Sequence, residues 1–319
     1  MDEIKNNFWA IGGGKGGVGK SIVTLMIGAS LAKLGNKVVL VDADLGGSNL
    51  HTLVGIRYPK NTLVDFISKK VETIDEVMMD TPVENMKIIC GADDILGMAN
   101  PKYTQKTRLL NHLKKLDADF ILLDLGAGTS FTTIDFFLYA PNKIVVLTPQ
   151  ITSIQNAYGF IKASLFRYLN DAFSKEDRAL ELIKRVNSPV NGEGIDSVAK
   201  LCDEFKALGE QQQESLLNCI NSLNIKLIVN MVKDTKEKNV SNIVRSVAKN
   251  YLGLTIEDLG VVQFDNILSA SINNMAEFLT KRRDSMASIH FYDIANNIMK
   301  SCQRSSSGDP ALVAPKISA

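Results

Sequence analysis

The sequence predicts an α/β fold: a doubly wound, mostly parallel sheet with helices on both faces. Three observations predict it. Short, continuously apolar runs such as 37–42 (KVVLVD) and 119–124 (DFILLD) have the composition of strands buried on both faces. These runs alternate with longer stretches of helical spacing, which implies a parallel sheet covered on both sides. The first strand, helix and second strand form a complete βαβ unit, of about the length a right-handed crossover needs.

In chain order, residues 8–11 are an apolar run ended by Gly12, Gly13 and Gly14, as in a buried strand entering a glycine turn. Residues 20–34 follow with Ile22, Leu25, Met26, Ala29 and Ala32 on related helical faces, and Gly35-Asn36 supplies the stop. After the strand at 37–42, residues 86–90 read as strand, 105–116 as helix and 119–124 as strand. Residues 133–139 then read as helix, 143–147 as strand and 151–168 as helix. Late strands fall at 226–230 and 259–262, and helices at 242–251 and 285–302.

Between about 170 and 224 the rhythm breaks. This stretch is polar, helix-prone and strand-poor, with turn signals at Asn187-Ser188-Pro189 and Asn191-Gly192. It predicts a helical insertion on the sheet surface, either a solvated excursion or a partner-binding face. One domain is expected over residues 1–304, followed by a disordered tail at 305–319, which is small, polar and carries two prolines.

Composition bounds the function. The 319 residues carry 36 Lys plus Arg against 35 Asp plus Glu, a balance that gives no strong reason to expect a nucleic-acid partner. Cys90, Cys202, Cys219 and Cys302 form no C-x-x-C pair, which argues against metal, iron–sulfur and dithiol chemistry. No apolar run approaches the ~20 residues of a membrane span. Residues 1–7 lack the apolar core of a signal peptide. A cytoplasmic protein is expected, peripheral to the membrane or polar at most.

The chemistry begins at residues 14–21. Gly14-Lys15-Gly16-Gly17-Val18-Gly19-Lys20-Ser21 fits G-x-x-x-x-G-K-[ST] at every fixed position, with a strand before it and a helix after it. Glycines let backbone N–H groups wrap phosphate oxygens, and the helix directs its positive end at them. Lys20 is the cation for the β- and γ-phosphates, and the Ser21 hydroxyl is a ligand for Mg²⁺. Asp124 ends an apolar strand before Leu125-Gly126-Ala127-Gly128, the form of a Walker B aspartate. Asp42 and Asp44 close the second strand, at the sheet edge where ligands bind in open α/β folds.

The segment GGGKGGVGKS resembles the deviant Walker A loop of the MinD/ParA family of P-loop ATPases. DADLGGSN (42–49) is similar to that family's switch I, and DLGAG (124–128) to the DxGAG of its FlhG/FleN branch. The resemblance covers roughly 6–165 and 225–300. It implies that Lys15 crosses an ATP-sandwich homodimer to the partner's phosphates. It implies that Asp44 orients the attacking water, and that Ser21, Asp44 and Asp124 serve Mg²⁺. The expected ATP-binding residues are Gly14, Lys15, Gly16, Gly17, Val18, Gly19, Lys20, Ser21 and Ile22, with Asn230 placed where the family reads adenine. Catalysis falls to Asp44, Lys15 and Lys20. The family's proline-containing loop over the base corresponds to Gln263-Phe264-Asp265, which has no proline.

The expected activity is therefore an ATPase, slow without its partner, that uses ATP and Mg²⁺ to switch a homodimer. It would act on an activating or cargo protein of the flagellar, polar, cell-division or partition kind, with weak peripheral membrane contact at most. A metabolic ATP-dependent ligase or synthetase and an inactive nucleotide-binding scaffold are the alternatives. No second substrate site favours the first, and intact Lys20, Ser21, Asp44 and Asp124 argue against the second.

Overall fold

The computed structural model describes residues 7–45, 47, 49–91, 101–187, 198–281 and 285–306. The chain opens with β1 (Phe8–Gly12), α1 (Lys20–Lys33) and β2 (Val38–Asp42), the βαβ unit read from the sequence. Two short helices, α2 (Leu50–Leu53) and α3 (Leu63–Ile67), precede β3 (Met78–Asp80) and β4 (Met86–Ile89). The alternation resumes through α4 (Tyr103–Leu113), β5 (Phe120–Asp124), α5 (Phe131–Tyr139), β6 (Asn142–Leu147) and α6 (Ile151–Ala172). Helices α7 (Asp177–Asn187), α8 (Val198–Leu208) and α9 (Glu210–Asn221) fill the strand-poor stretch. The chain continues with β7 (Ile225–Val232), α10 (Val240–Leu252), β8 (Glu257–Gln263), α11 (Asn266–Ala270), α12 (Met275–Lys281) and α13 (Met286–Ser306).

The strands form one sheet in the order β3-β4-β2-β5-β1-β6-β7-β8. Every pairing is parallel except β3 with β4. Alternate residues of the central strands enter opposite cores. Phe8, Ala10, Ile121, Leu123, Val145 and Leu147 face one side, and Trp9, Ile11, Phe120, Leu122, Ile144 and Val146 the other. Both faces are apolar, which is why these strands read as unbroken hydrophobic runs. At the outer edge, side chains occupy backbone groups of β8. Asn297 Nδ2 donates to the Leu259 carbonyl at 3.0 Å, and the Gly260 N–H donates to Asp258 Oδ1 at 2.9 Å. Such capping blunts an edge strand as a template for pairing.

Helices α7, α8 and α9 are not a solvated excursion. Ile183, Leu201, Phe205, Leu216 and Ile220 enter the same core as α5 and α6, and the Phe205 ring meets Phe173 edge-on at 5.1 Å. The turn signals at 188–192 lie outside the described residues. Helix α13 also differs from expectation. It runs to Ser306, past the expected start of the tail, while residues 307–319 lie outside the description. Of its apolar side chains, Ile294 and Ile298 are buried, whereas Met286 and Ile289 are about half exposed. Among the described residues no helix is long and apolar enough to cross a membrane.

The core holds a costly cation. Lys143, second residue of β6, is 3% exposed and donates from Nζ to the Ala140 carbonyl at 2.6 Å. Burial pushes its amine from 10.5 down to about 7. Between about pH 7 and 10.5 the unfolded chain therefore holds a proton here that the folded chain does not, so this residue's contribution to stability rises with pH across that window. Lys143→Met is expected to raise the apo protein's stability by roughly 2–4 kcal/mol at pH 6, and by less and less toward pH 10. Thermal unfolding of both proteins over a pH series checks this; an equal gain at pH 6 and pH 9.5 rules out a buried charge as the cause.

Candidate functional site

The register sets the site. Ile11 on β1 and Asp42 on β2 both pair with Asp124 on β5, so the ends of three adjacent strands are level at the carboxyl edge of the sheet. From there the chain loops through residues 13–19 into α1. Gly17 and Gly19 sit at φ +78° and +86°, a left-handed conformation that glycine alone adopts freely. The loop is threaded tightly: a Cβ on Gly13 would stand 2.8 Å from the Val146 carbonyl, and one on Gly14 would collide with the Asn156 carbonyl of α6. Val18, 3% exposed, anchors it to the core. Gly19 offers α1 no side-chain cap, so the first-turn N–H groups remain suited to an anion.

Under this loop lies a buried charge cluster. Lys20 is 8% exposed, and burial holds its amine below the usual lysine range against the pull of Asp124 and Asp44. Asp124 is 2% exposed. Burial first, and then the neighbouring Asp42 charge, push its carboxyl up to about 7, while hydrogen bonds from Ser21 and Thr24 and the Lys20 charge oppose the rise. Asp42 accepts from the Leu50 N–H at 2.9 Å and the Asp44 N–H at 3.2 Å, so it ties the loop after β2 to α2. The Asp44 carboxylate lies over the next glycine loop, where a Cβ on Gly126 would come within 3.0 Å of it. Two backbone bonds join these loops: Ala43 N–H to the Asp124 carbonyl at 2.9 Å and Gly128 N–H to the Gly13 carbonyl at 3.3 Å. Gly46 and Ser48 lie outside the described residues.

The structure thus brings together the 14–21 loop, Asp44 and Asp124. Lys15 stands apart: its Nζ donates to Thr152 Oγ1, in the first turn of α6, at 3.0 Å. Asn230 is buried at the end of β7 and donates from Nδ2 to the Val18 carbonyl at 2.9 Å, propping the loop from beneath. Ile22 is half-buried and packs its side chain on the α1 core. In the loop after β8, Asp265 accepts from the Ile267 and Leu268 N–H groups of α11 and the Ala287 N–H of α13, leaving the Phe264 ring exposed.

Three contacts escaped the sequence reading. Thr152 and Asn156 reach the loop from 137 or more residues away, and no local pattern marks them. Thr24 carries a signal, since it lies one helical turn after Lys20 and so shares its face. It is fully buried with Oγ1 3.2 Å from Asp124 Oδ1.

The residues fit Mg²⁺. The Ser21 hydroxyl, at the start of α1, and the Asp124 carboxyl are hydrogen-bonded neighbours, which puts two hard oxygen donors together beside the phosphate loop. Among the described residues no three His, Cys, Asp or Glu converge on a metal position. Mg²⁺ needs no such cage, because it keeps several waters and takes few protein ligands alongside phosphates.

Fold and loop together define a P-loop NTPase. The family model ParA, described as NUBPL iron-transfer P-loop NTPase, matches residues 4–166, and the chain belongs to this ParA/MinD family. The cysteines supply no C-x-x-C pair for iron chemistry. The antiactivator FleN of Pseudomonas aeruginosa is 33% identical over 155 residues, 48% of this chain and 54% of that protein. The flagellum site-determining protein YlxH of Helicobacter pylori is 35% identical over 164 residues, 49% of this chain and 52% of that one. The chain spans about half the length of the curated relatives it matches. The septum site-determining protein MinD of Pyrococcus horikoshii, solved with Mg-ADP, shares the fold at TM-score 0.63 and 20% identity, over 95% of this chain and 99% of that one.

Proposed function

We propose that this chain is a Mg²⁺-dependent ATPase that dimerises in its ATP state and so regulates or positions a partner protein. The observation that carries the reading is the division between its two loop lysines. Lys20 is buried against Asp124 and Asp44, where phosphates would enter. Lys15 is bonded instead to Thr152 on α6, so the buried cation for the chain's own phosphates is Lys20 and Lys15 is left for a second copy.

Each residue then has a task. The loop N–H groups and Lys20 bind the β- and γ-phosphates. Ser21 and Asp124 hold Mg²⁺, which when bound neutralises charge on the phosphates. Asp44, over Gly126 and beside the 125–128 loop, orients the attacking water. Lys15 leaves Thr152 and reaches the phosphates of a second copy, where its charge stabilises the transition state as an arginine finger does. Asn230 keeps the loop in shape through Val18, and its amide is the group offered to the adenine edge. Turnover is slow until a partner stimulates it. The names of the relatives, a flagellar antiactivator, a flagellum site-determining protein and septum site-determining proteins, support a positioning or regulatory role.

Light scattering tests the reading. ATP with Mg²⁺ should double the mass of the purified protein and ADP should leave it monomeric. A mass indifferent to nucleotide rejects the switch.

A further inference from the structure

We propose that Thr24 is a positioning residue for the metal site: its hydroxyl fixes the orientation of the Asp124 carboxylate toward Mg²⁺. The inference rests on the ATPase reading above and adds to it a residue that touches neither nucleotide nor ion.

Thr24 lies on α1 among Val23, Leu25 and Met26, all buried, and is itself 0% exposed. At such a position an apolar side chain packs as well, and a hydroxyl costs free energy unless it is used. It has two acceptors in reach, the Lys20 carbonyl at 3.0 Å and Asp124 Oδ1 at 3.2 Å. One hydroxyl carries one proton. The carboxylate gives the stronger, charge-assisted bond, while the Lys20 carbonyl lies within the helix ladder. In the rotamer observed, one that also suits the i−4 carbonyl, the hydroxyl is already within bonding distance of the carboxylate and needs no swing to reach it.

The second donor to Asp124 is Ser21. Its oxygen is also the one placed to bind Mg²⁺. Once it turns to the ion, Thr24 is the donor that keeps Asp124 in place without being drawn into coordination. Threonine at 24 therefore supports the ion through the carboxylate, in the way outer partners orient the ligands of other metal sites.

Two variants separate this role from packing. Thr24→Val keeps the shape and removes the hydroxyl; Thr24→Ser keeps the hydroxyl. Binding of a fluorescent ADP analogue is titrated with Mg²⁺ and in EDTA, and apo thermal stability is measured alongside. Thr24→Val should bind nucleotide within about twofold of wild type in EDTA, yet need about tenfold more Mg²⁺ for the half-maximal gain in affinity. Thr24→Ser should stay within about threefold of wild type in both. A Mg²⁺ requirement unchanged in Thr24→Val overturns the proposal. So does an equal loss with Mg²⁺ and EDTA, or a Thr24→Ser defect as large as that of valine, since either marks a packing role. If wild-type binding itself ignores Mg²⁺, the ATPase reading falls and this proposal with it; a normal wild type beside an indifferent valine variant sinks this proposal alone.

Discussion

Lys20→Ala is expected to abolish measurable ATP binding, a loss of about a hundredfold or more. The size follows from what surrounds the amine. Lys20 is 8% exposed and is attracted by both Asp124 and Asp44. Removing it takes away the buried cation that would bond the β- and γ-phosphates, and it leaves two carboxylates to repel them. The glycine loop and the start of α1 survive the change, but backbone N–H groups alone must then hold a triphosphate against that repulsion. Isothermal titration measures the affinity, with thermal unfolding as the control for folding. A folded variant with near-wild-type affinity would refute the phosphate-loop assignment.

Much of this arrangement was legible from sequence, for reasons that can be named. Strands β1, β2, β5 and β6 are buried on both faces, so they appear as runs such as VVLVD and FILLD, apolar except at their ends. The phosphate loop was legible because Gly17 and Gly19 answer a left-handed backbone conformation, a demand that is local to the loop. Strand β3 was missed: it has three residues, and Met78 and Met79 are only half-buried, which leaves no pattern to detect. Helix α6 extends to Ala172, beyond the expected 168, because Leu169 and Phe173 still reach the core where the polar composition suggested an exit. The order of strands and the approach of α6 to the loop depend on contacts distant in sequence. The Lys15–Thr152 bond and the fit of Gly14 against Asn156 are consequences of that approach. The polar stretch 170–224 misled for the same reason, since apolar residues scattered among its polar ones, Ile183, Leu201, Phe205, Leu216 and Ile220 among them, are spent on the core.

Asp44→Ala is expected to bind ATP, hydrolyse it at background rate and accumulate as a dimer. The mutation removes a carboxylate that lies over Gly126 but leaves Lys20, Ser21 and the loop intact. Loss of a water-orienting group lowers turnover by about 100-fold or more without removing the phosphate cradle. The trapped state then exposes the role of Lys15. A dimer built on nucleotide shared between two loops is two-fold, so each lysine serves the other subunit's phosphates and the contact counts twice. Adding Lys15→Ala to Asp44→Ala should keep ATP binding, because Lys20 and the backbone donors remain, and should abolish the dimer. In the otherwise wild-type protein, Lys15→Ala should lose dimerisation and most of the turnover together. The Thr152 hydroxyl, the partner Lys15 holds in the monomer, can turn to water in its absence, since Thr152 is exposed, so the change should cost little stability. Sedimentation velocity with saturating ATP and Mg²⁺ decides the matter. If Asp44→Ala stays monomeric, or if Lys15→Ala leaves its dimer untouched, Lys15 is a solvated surface charge and the face-to-face dimer is the wrong model.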